Sequence, residues 1–505
     1  MHFVFYPKHE YGCPNVMHCP HLGGAALGSL VHAADDQTDW IDALHRQIDA
    51  LRAENTAKSH KIEEQAGRIE QLERELKAER QKQFKAKKEE AVETEPSEPS
   101  AQGPKKRGAP LGHPGWYRKR PTEFDRLVLV PAPCDCPYCE GSVKPRPDLP
   151  AYDHLQEDWI DGRRVVICYR HEEGRCRKCR RWVQQPGQDE LLRKMIGPHV
   201  RADSLFLQYD IGLTVRKVVR SIEGLTQFTF ASATLLSFGK EAAAKARPLA
   251  QDVAEKLRAC DANHADETHY RIDGQPAYVW FHGNEHLAHF CITGTRKGKI
   301  SRTILGEDYS GGLHMDCYSG YDRHKTQIKQ RCLAHLKRSA KTWCNLLPAA
   351  AHASRAFFAA VIQWVKRACA WHRQWKNRTG PESDREAKWL REELERLQQM
   401  PTTADSDRAT RLQKRIRKYS GEWLTFLDHP GVAPTNNLAE QALRAVVILR
   451  KLTFGSRTKA GAKRLGTMMT VIETAKRQGR NVLTFLFTLL TMTANRARRA
   501  MYSRQ

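Results

Sequence analysis

The 505-residue sequence contains no run of about 20 uninterrupted apolar residues, so we expect no membrane-spanning helix. Its first seven residues lack the basic region followed by an apolar region that is typical of a secretory signal, so we expect no such signal. Acidic residues are scarce, because 58 Asp and Glu stand against 83 Lys and Arg, which leaves a formal net charge of +25. This surplus favours a nucleic-acid partner, with a basic composition that only serves solubility as the alternative.

The chain is long enough for three or more domains and at least one sizeable core. Its 14 cysteines, in a chain not expected to be secreted, are interpreted as reduced thiols and metal ligands rather than as a disulfide framework. Residues 441–505 hold fourteen Lys or Arg and a single acidic residue, Glu473. The basic surplus is therefore not spread evenly along the chain.

Residues 1–38 are expected to form a partly ordered leader. It contains four potential metal ligands without a partner pair at finger spacing, namely Cys13, His18, Cys19 and His21. Residues 39–84 place apolar side chains three and four positions apart, which predicts a coiled coil and hence a homodimer or larger assembly. Asn55 occupies a core position of this pattern, which fixes register in parallel pairs. A single solvated helix is the alternative.

Residues 85–121 are poor in hydrophobic side chains and are expected to form a flexible linker and a basic arm. The arm contains Lys105, Lys106 and Arg107, and Trp116 follows them. Such an arm can lie along a DNA backbone or in a minor groove. A solvated, charged linker explains this stretch equally well.

Two cysteine pairs, 36 residues apart, dominate residues 122–190. The paired cysteines are Cys136, Cys139, Cys176 and Cys179. Four thiolates form a closed tetrahedral site that suits structural zinc, and strand-like residues between the pairs predict a zinc ribbon. Cys134 and Cys168 could substitute as ligands. Buried, reduced cysteines at chance spacing are the alternative.

Residues 195–260 are expected to be helical. A helix at 213–222, a break at 224–226 and a second helix at 232–240 have the spacing of a helix-turn-helix, which would contact DNA. Two helices that merely pack together would give a similar pattern. A long amphipathic helix is expected at 240–260.

Strand-like segments follow at 265–272, 277–282 and 287–293, and Asp273-Gly274 and Gly283-Asn284 mark hairpin turns between them. Next come a helix-like segment, a short buried strand and another strand-like segment, at 298–305, 312–316 and 329–334. Three antiparallel strands followed by a helix, a strand, a helix and a strand is the order of a ribonuclease-H-like core.

The expected fold class is therefore multidomain α+β. We assign the ribonuclease-H-like core to residues 261–345 and 428–495. Residues 346–427 are predicted to be an α-helical insertion because they are helical in pattern and highly charged. Residues 496–505 are expected to form a basic tail.

Three acidic residues fall on predicted elements of this core. Asp266 lies on the first strand, where a buried carboxylate needs a metal ion or a basic partner. Asp316 ends the fourth strand, which lies beside the first in this fold order; Asp308 is a weaker alternative to it, as is Asp322. Glu440 begins a late helix, where it could instead close a capping box, and the spacing does not decide between these roles.

Four motifs become specific when they are taken together. They are Ala265-Asp266-Glu267-Thr268, Asp316 before an aromatic-Gly turn, Arg331-Cys332-Leu333-Ala334-His335, and Asn436-Asn437-x-Ala439-Glu440-x-x-Leu443-Arg444. With them, about residues 40–495 resemble the transposases of the bacterial insertion-sequence family sixty-six, which are Asp-Asp-Glu recombinases. One departure is Cys317, where the family usually has Gly and where a side chain could crowd the metal pocket.

The resemblance implies that Asp266, Asp316 and Glu440 form a catalytic triad that holds two Mg²⁺ or Mn²⁺ ions, since these hard cations prefer oxygen ligands. It implies a DNA transposase that binds the element ends and performs two-metal hydrolysis and strand transfer. The expected partners are the terminal-repeat DNA of the element, target DNA, and accessory proteins encoded by the same element. The expected location is the nucleoid in the bacterial cytoplasm. Glu267 follows Asp266 on the same strand, so its side chain should point to the opposite face, and we exclude it from the triad.

Five basic residues near these motifs are candidates for supporting the metal ligands or contacting DNA phosphates, with plain surface charge as the alternative. They are Arg331, His335, Arg444, Arg450 and Lys451. Two other functions are compatible with the same residues. One is a zinc-containing DNA-binding regulator without catalysis, and the other is a ribonuclease-H-like nuclease that cuts DNA without joining it.

Overall fold

The computed structural model of the protein describes residues 49, 50, 53, 54, 118–348, 350–375, 379–401, 407–429 and 431–502. The chain divides into two compact units, Met1–Trp116 and Tyr117–Gln505. In the first unit, the four described residues are helical and exposed. The predicted leader, most of the predicted coiled coil, and the arm residues Lys105, Lys106 and Arg107 lie outside the described residues.

Two small three-stranded sheets open the second unit. Their strands are β1 (Arg126–Val130), β2 (Val143–Pro145), β3 (Tyr152–Ile160), β4 (Arg163–His171), β5 (Gly174–Cys176) and β6 (Trp182–Val183). One sheet has the order β1-β4-β3 and the other β2-β5-β6. β3 and β4 form a tight hairpin because Asp161 and Gly162 both adopt positive φ, as a two-residue hairpin turn requires.

Three helices follow these sheets. They are α1 (Pro198–Tyr209), α2 (Val215–Thr226) and α3 (Ser232–Arg258). The predicted helices at 232–240 and 240–260 are one continuous helix of 27 residues, which contains Pro248. Buried side chains recur along α3 at three- and four-residue intervals, including Ala242, Ala246, Leu249 and Val253, so a single face packs into the core.

A five-stranded sheet forms the centre of this unit. Its elements are β7 (Ala262–Ile272), β8 (Gln275–Gly283), β9 (Ala288–Thr293), α4 (Lys299–Leu305), β10 (Gly312–Met315) and β11 (Lys329–Arg331). The order in space is β11-β10-β7-β8-β9. β7, β8 and β9 are antiparallel, whereas β10 runs parallel to β7 and to β11. Asp273 and Gly274 make the predicted turn between β7 and β8, both with positive φ.

Two further groups of helices complete the described chain. The first is α5 (Leu333–Asn345), α6 (His352–Trp375), α7 (Pro381–Gln399) and α8 (Asp407–Lys418), and the second is α9 (Asn437–Thr453), α10 (Lys459–Arg477), α11 (Val482–Thr491) and α12 (Ala494–Met501). The first group has its own core around the fully buried Trp364 and Trp423. The second shares a core with the five-stranded sheet and α1–α4.

The protein is thus a mixed α/β chain with small sheets. Strand β8 is buried on both faces, since Val279, Trp280 and Phe281 are all inaccessible to solvent. Helices α9 and α10 pack on this sheet, against β7 and β9 respectively. Among the described helices, none combines the length and the apolar character needed to cross a membrane.

Candidate active site and metal centres

Asp266 and Asp316 lie on neighbouring parallel strands. β10 pairs with β7 so that His314 lies opposite His264, and the same register continued by two residues brings Asp316 beside Asp266. Neighbouring strands are about 4.8 Å apart, and residues two positions apart point to the same face. Asp316 lies just past the end of β10, where its carboxylate accepts a hydrogen bond of 2.8 Å from the Tyr318 N–H. The sheet therefore places these two acids side by side.

Glu440 reaches the same region from the first turn of α9. Asn436 is the N-cap of this helix, and its side-chain amide donates a hydrogen bond of 2.8 Å to the Ala265 carbonyl. That contact fixes the start of α9 next to the residue that precedes Asp266. The Glu440 N–H lies 3.2 Å from the Asn436 carbonyl, so Glu440 is one helical turn further on. The third acid thus comes from a helix docked on β7.

The capping-box role considered for Glu440 is wrong. The helix N-cap is Asn436 rather than Asn437, so Glu440 is one position too far along to close such a box. The Asn436 N–H, which a capping box would bind, lies 3.1 Å from the Cys332 sulfur instead. The Glu440 carboxylate lies 3.2 Å from the Arg338 guanidinium and 3.5 Å from His335 Nδ1.

Negative charge accumulates around Asp266. Burial, and after it the carboxylates of Asp316, Glu267 and Glu440, raises the pKa of Asp266 to about 8. Carboxylates that raise one another's pKa in this way are stabilised by a proton or a cation among them. Three carboxylates form an oxygen donor set, which hard divalent cations such as Mg²⁺ and Mn²⁺ prefer. The residues present therefore fit a divalent metal.

The Glu267 carboxylate is engaged by two other side chains. Its side chain is only 1% exposed and lies 2.7 Å from the Arg296 guanidinium. The Tyr321 hydroxyl also donates a hydrogen bond of 2.5 Å to it. As the next residue along β7, it points to the opposite face of the strand from Asp266. Its carboxylate therefore has an ion-pair partner and a hydrogen-bond donor of its own.

Arg331 is inaccessible to solvent, which does not fit direct contact with DNA. Its guanidinium donates hydrogen bonds to the Asp316 carbonyl at 2.8 Å, to Asp322 at 2.7 Å and to Glu422 at 2.5 Å. Of the two roles considered, the structure favours support of the acids, because Arg331 binds the backbone of Asp316. Asp322 is engaged in this ion pair, and Asp308 is an exposed partner of Lys325.

The other basic candidates are placed differently from one another. His335 is partly exposed and faces Glu440 from α5. Arg450 donates hydrogen bonds to Thr268 and to the His269 carbonyl, and so braces α9 against β7. Arg444 and Lys451 are exposed on α9. Contact of these side chains with DNA stays a prediction.

Arg338 was not identified from the sequence. It lies three residues after His335 on α5, so both side chains project from the same helical face toward Glu440. The three-residue spacing from His335 is the sequence feature that could have identified Arg338. Cys317, the departure from the family pattern, packs against the core of the helices α5–α8, and burial raises its pKa to about 12.

The four paired cysteines converge. The sulfur atoms of Cys136, Cys139, Cys176 and Cys179 all lie within 4.8 Å of one another. The closest pairs are 3.6 Å and 3.5 Å apart, much longer than the roughly 2.05 Å of a disulfide. Zn–S bonds of about 2.3 Å in a tetrahedron place sulfur atoms about 3.8 Å apart. The cluster therefore has the dimensions of a possible zinc site, and it excludes Cys134 and Cys168.

The environment of Cys176 favours the thiolate, the form that binds metal. The Cys179 N–H, 3.4 Å from the Cys176 sulfur, is the main cause that lowers the pKa of Cys176 to about 6. Each cysteine pair lies beside a short strand of the β2-β5-β6 sheet, and Val143 and Val183 pack around the sulfur atoms. The cysteine cluster therefore depends both on the close spacing within each pair and on the small sheet that brings the two pairs together.

A second cluster, His154, His171 and Glu190, was not expected from the sequence. All three are buried, and both imidazoles contact one oxygen of Glu190, at 2.5 Å and 2.8 Å. Tetrahedral ligands of one zinc ion are about 3.3 Å apart, so these shorter separations are those of hydrogen bonds. The cluster fastens the loop around Glu190 to β3 and β4.

Comparison with known proteins identifies a sequence family and a relative. Residues 193–464 match the sequence family described as "Transposase IS66 family". The chain is also 25% identical over 410 residues to a protein of Sinorhizobium fredii (strain NBRC 101917 / NGR234) that is named "Uncharacterized protein y4hP". That alignment covers 71% of this chain and 72% of the relative. The family match includes all three acids and leaves out the cysteine cluster.

Proposed function

The chain belongs to the IS66 family of transposases, and from this premise we propose that it binds the ends of a bacterial insertion sequence and cuts and joins DNA there. We assign Asp266, Asp316 and Glu440 as its catalytic triad and metal ligands. The single observation that supports the assignment is that Asp316, at the end of β10, and Glu440, in the first turn of α9, both lie near enough to Asp266 on β7 to raise the pKa of its carboxyl.

The arrangement of the five-stranded sheet supports a ribonuclease-H-like core. Three antiparallel strands, a helix and two further strands appear in that order, and the fourth strand lies beside the first. The helices α5–α8 then form the insertion that separates Glu440 from the rest of the core. In this proposal, residues 261–345 and 428–495 form the catalytic core, and 346–427 form the insertion.

The chemistry assigned to the triad is hydrolysis followed by strand transfer. When bound, two divalent cations would activate water and stabilise the leaving oxygen. Asp266, Asp316 and Glu440 would hold these cations through their carboxylate oxygens. Water attacks a phosphodiester at the element end and frees a 3′-hydroxyl, which then attacks target DNA. Arg331 holds the backbone of Asp316, and His335 and Arg338 orient Glu440.

The remaining parts of the chain are proposed to bind DNA and to assemble the enzyme. The Cys136, Cys139, Cys176 and Cys179 cluster would hold one structural zinc. Residues 39–84 would pair two copies of the chain, and the basic arm would contact the phosphate backbone. The α2–α3 pair is a further DNA-contact candidate.

Replacement of single triad acids tests the assignment. Asp316→Asn and Glu440→Gln should each abolish Mg²⁺-dependent cleavage of DNA that carries the element ends, because each removes a negatively charged metal ligand. Binding of the ends, measured by electrophoretic mobility shift, should stay close to wild type. Glu285→Gln, an exposed acid outside the triad, is the matched control. Normal cleavage by either triad variant would refute that residue's assignment.

The same substrates separate the two alternatives. A regulator without catalysis would bind end DNA but would not nick it at any divalent-metal concentration. A nuclease that cuts without joining would nick the DNA, yet would fail to join pre-cut ends to a target. The family membership favours the transposase over both.

A further inference from the structure

Asn436 is a fully buried polar residue between the segments that carry the three acids. It immediately precedes α9 and serves as its N-cap, although its side chain makes no capping hydrogen bond. The side chain of an N-cap asparagine ordinarily accepts a hydrogen bond from the helix it caps. The Asn436 amide instead makes contacts outside the helix. Helix capping by the side chain therefore does not explain why asparagine occupies this position.

The side chain binds two neighbouring residues of β7. Its Nδ2 donates a hydrogen bond of 2.8 Å to the Ala265 carbonyl, and its Oδ1 lies 2.9 Å from His264 Nδ1. The His264 imidazole can donate its Nδ1–H to this oxygen. The reversed amide orientation would place Oδ1 against the Ala265 carbonyl and is unfavourable. Asn436 therefore bridges the two residues that precede Asp266.

The backbone of Asn436 is hydrogen-bonded toward the segments that carry the other two acids. Its carbonyl accepts the Glu440 N–H at 3.2 Å. Its N–H donates to the Cys332 sulfur at 3.1 Å, and the Cys332 N–H in turn donates to the Met315 carbonyl at 2.8 Å, one residue before Asp316. Side chain and backbone together thus link Asn436 to the backbone beside each acid.

We propose that Asn436 is a positioning residue that sets the spacing of the Asp266, Asp316 and Glu440 carboxylates for binding of divalent metal. The proposal rests on the proposed function, because it assumes that these acids bind the metal. This role of Asn436 is distinct from capping helix α9 and from filling space in the core. A primary amide of this reach fits the position because it offers a donor for Ala265 and an acceptor for His264 on two separate atoms.

Two replacements separate positioning from folding. Asn436→Asp keeps the shape but sets a carboxylate oxygen against the Ala265 carbonyl. Asn436→Ser keeps a favourable N-cap residue but is too short to bridge β7. Asn437→Ala is the matched control, because Asn437 is the neighbouring, exposed asparagine of the same helix turn.

The measurement is a Mn²⁺ titration of the full-length, zinc-loaded protein without DNA, followed by electron paramagnetic resonance. We expect Asn436→Asp and Asn436→Ser to need about tenfold or more Mn²⁺ for half-saturation, as is typical when residues behind metal ligands are replaced. Asn437→Ala should match wild type. Cleavage assays should show the same displacement in Mg²⁺ requirement, with activity partly restored at high metal concentration, which a general loss of stability would not produce.

The outcomes are distinct. If Asn436→Ser is folded by circular dichroism and binds Mn²⁺ with wild-type affinity, the positioning role is overturned. If Asn436→Asp does not fold, the serine variant alone decides the matter. If wild type and Asp266→Asn bind Mn²⁺ equally, the metal-binding triad itself fails, and the positioning role falls with it.

Discussion

Arg331 shows how a single buried charge can join two parts of this protein. Its guanidinium contacts Glu422 and Asp322 as well as the Asp316 carbonyl, and it lies 3.9 Å from the centre of the Tyr419 ring. A fully buried cation is tolerated because each of these groups compensates for lost hydration. The residue therefore couples the end of β10 to the turns that follow α8.

Replacing Arg331 with Met should lower the free energy of unfolding by about 3 kcal/mol, because Glu422 and Asp322 lose their buried partner. We expect the lower end of the usual range, since both carboxylates keep some contact with solvent. Urea unfolding followed by circular dichroism measures the change. Arg338→Met, on an exposed arginine, should cost less than about 1 kcal/mol. Equal losses in the two variants would contradict the role given to Arg331.

At the scale of elements, α1 obtains its N-terminal cap from another part of the chain. Its own N-cap is Gly197, which has no side chain to offer. Asp158 on β3 accepts hydrogen bonds from the Val200 and His199 amides instead, at 2.9 Å and 3.1 Å. A Cβ on Gly197 would lie 2.4 Å from the Asp158 carboxylate, so the close approach requires glycine. This contact anchors the sheet β1-β4-β3 to the first helix of the family match.

The proposed zinc site makes a prediction at this scale. Cys176→Ser should remove one equivalent of zinc per chain, measured by inductively coupled plasma mass spectrometry, because it removes one of four thiolates. Cys134→Ser is the matched control, since Cys134 is exposed and outside the cluster. Thermal unfolding of the β2-β5-β6 sheet should also respond to a zinc chelator in wild type. Zinc retained by Cys176→Ser would argue against the cluster as the binding site.

At the scale of the whole molecule, positive charge is the dominant property. The net charge of +25 creates a long-range attraction for nucleic acid that is independent of sequence. Such binding releases counterions from DNA, so its affinity falls as salt rises. The three acids of the proposed triad form a locally negative site within this basic chain. A polyanionic substrate could therefore approach that site only when divalent cations offset the negative charge.

The predicted arm should be visible in the salt dependence of DNA binding. Replacing Lys105, Lys106 and Arg107 with Ala should reduce the slope of log affinity against log salt by about 3, if each side chain contacts a phosphate. Fluorescence anisotropy with labelled DNA measures the slope. Alanine at Arg385, Lys388 and Arg391 of α7 removes the same charge elsewhere. An arm variant with the slope of wild type would show that these residues form only a solvated linker.

Features determined by neighbouring residues could be predicted from the sequence. The Asp273-Gly274 turn was predictable because only a few residue types accept two successive positive φ angles. The spacing of the cysteine pairs predicted their convergence for a similar local reason. The strands around Asp266 and Asp316 followed from short apolar runs between turns, and the motifs supplied the family.

Contacts between distant segments could not be read in this way. Glu440 is 124 residues beyond Asp316, and its proximity depends on α9 docking on β7 through Asn436. The full burial of Arg331 depends on how the turns after α8 close over β11. These outcomes follow from which surfaces pack together in three dimensions, because burial and charge compensation arise only after distant faces meet.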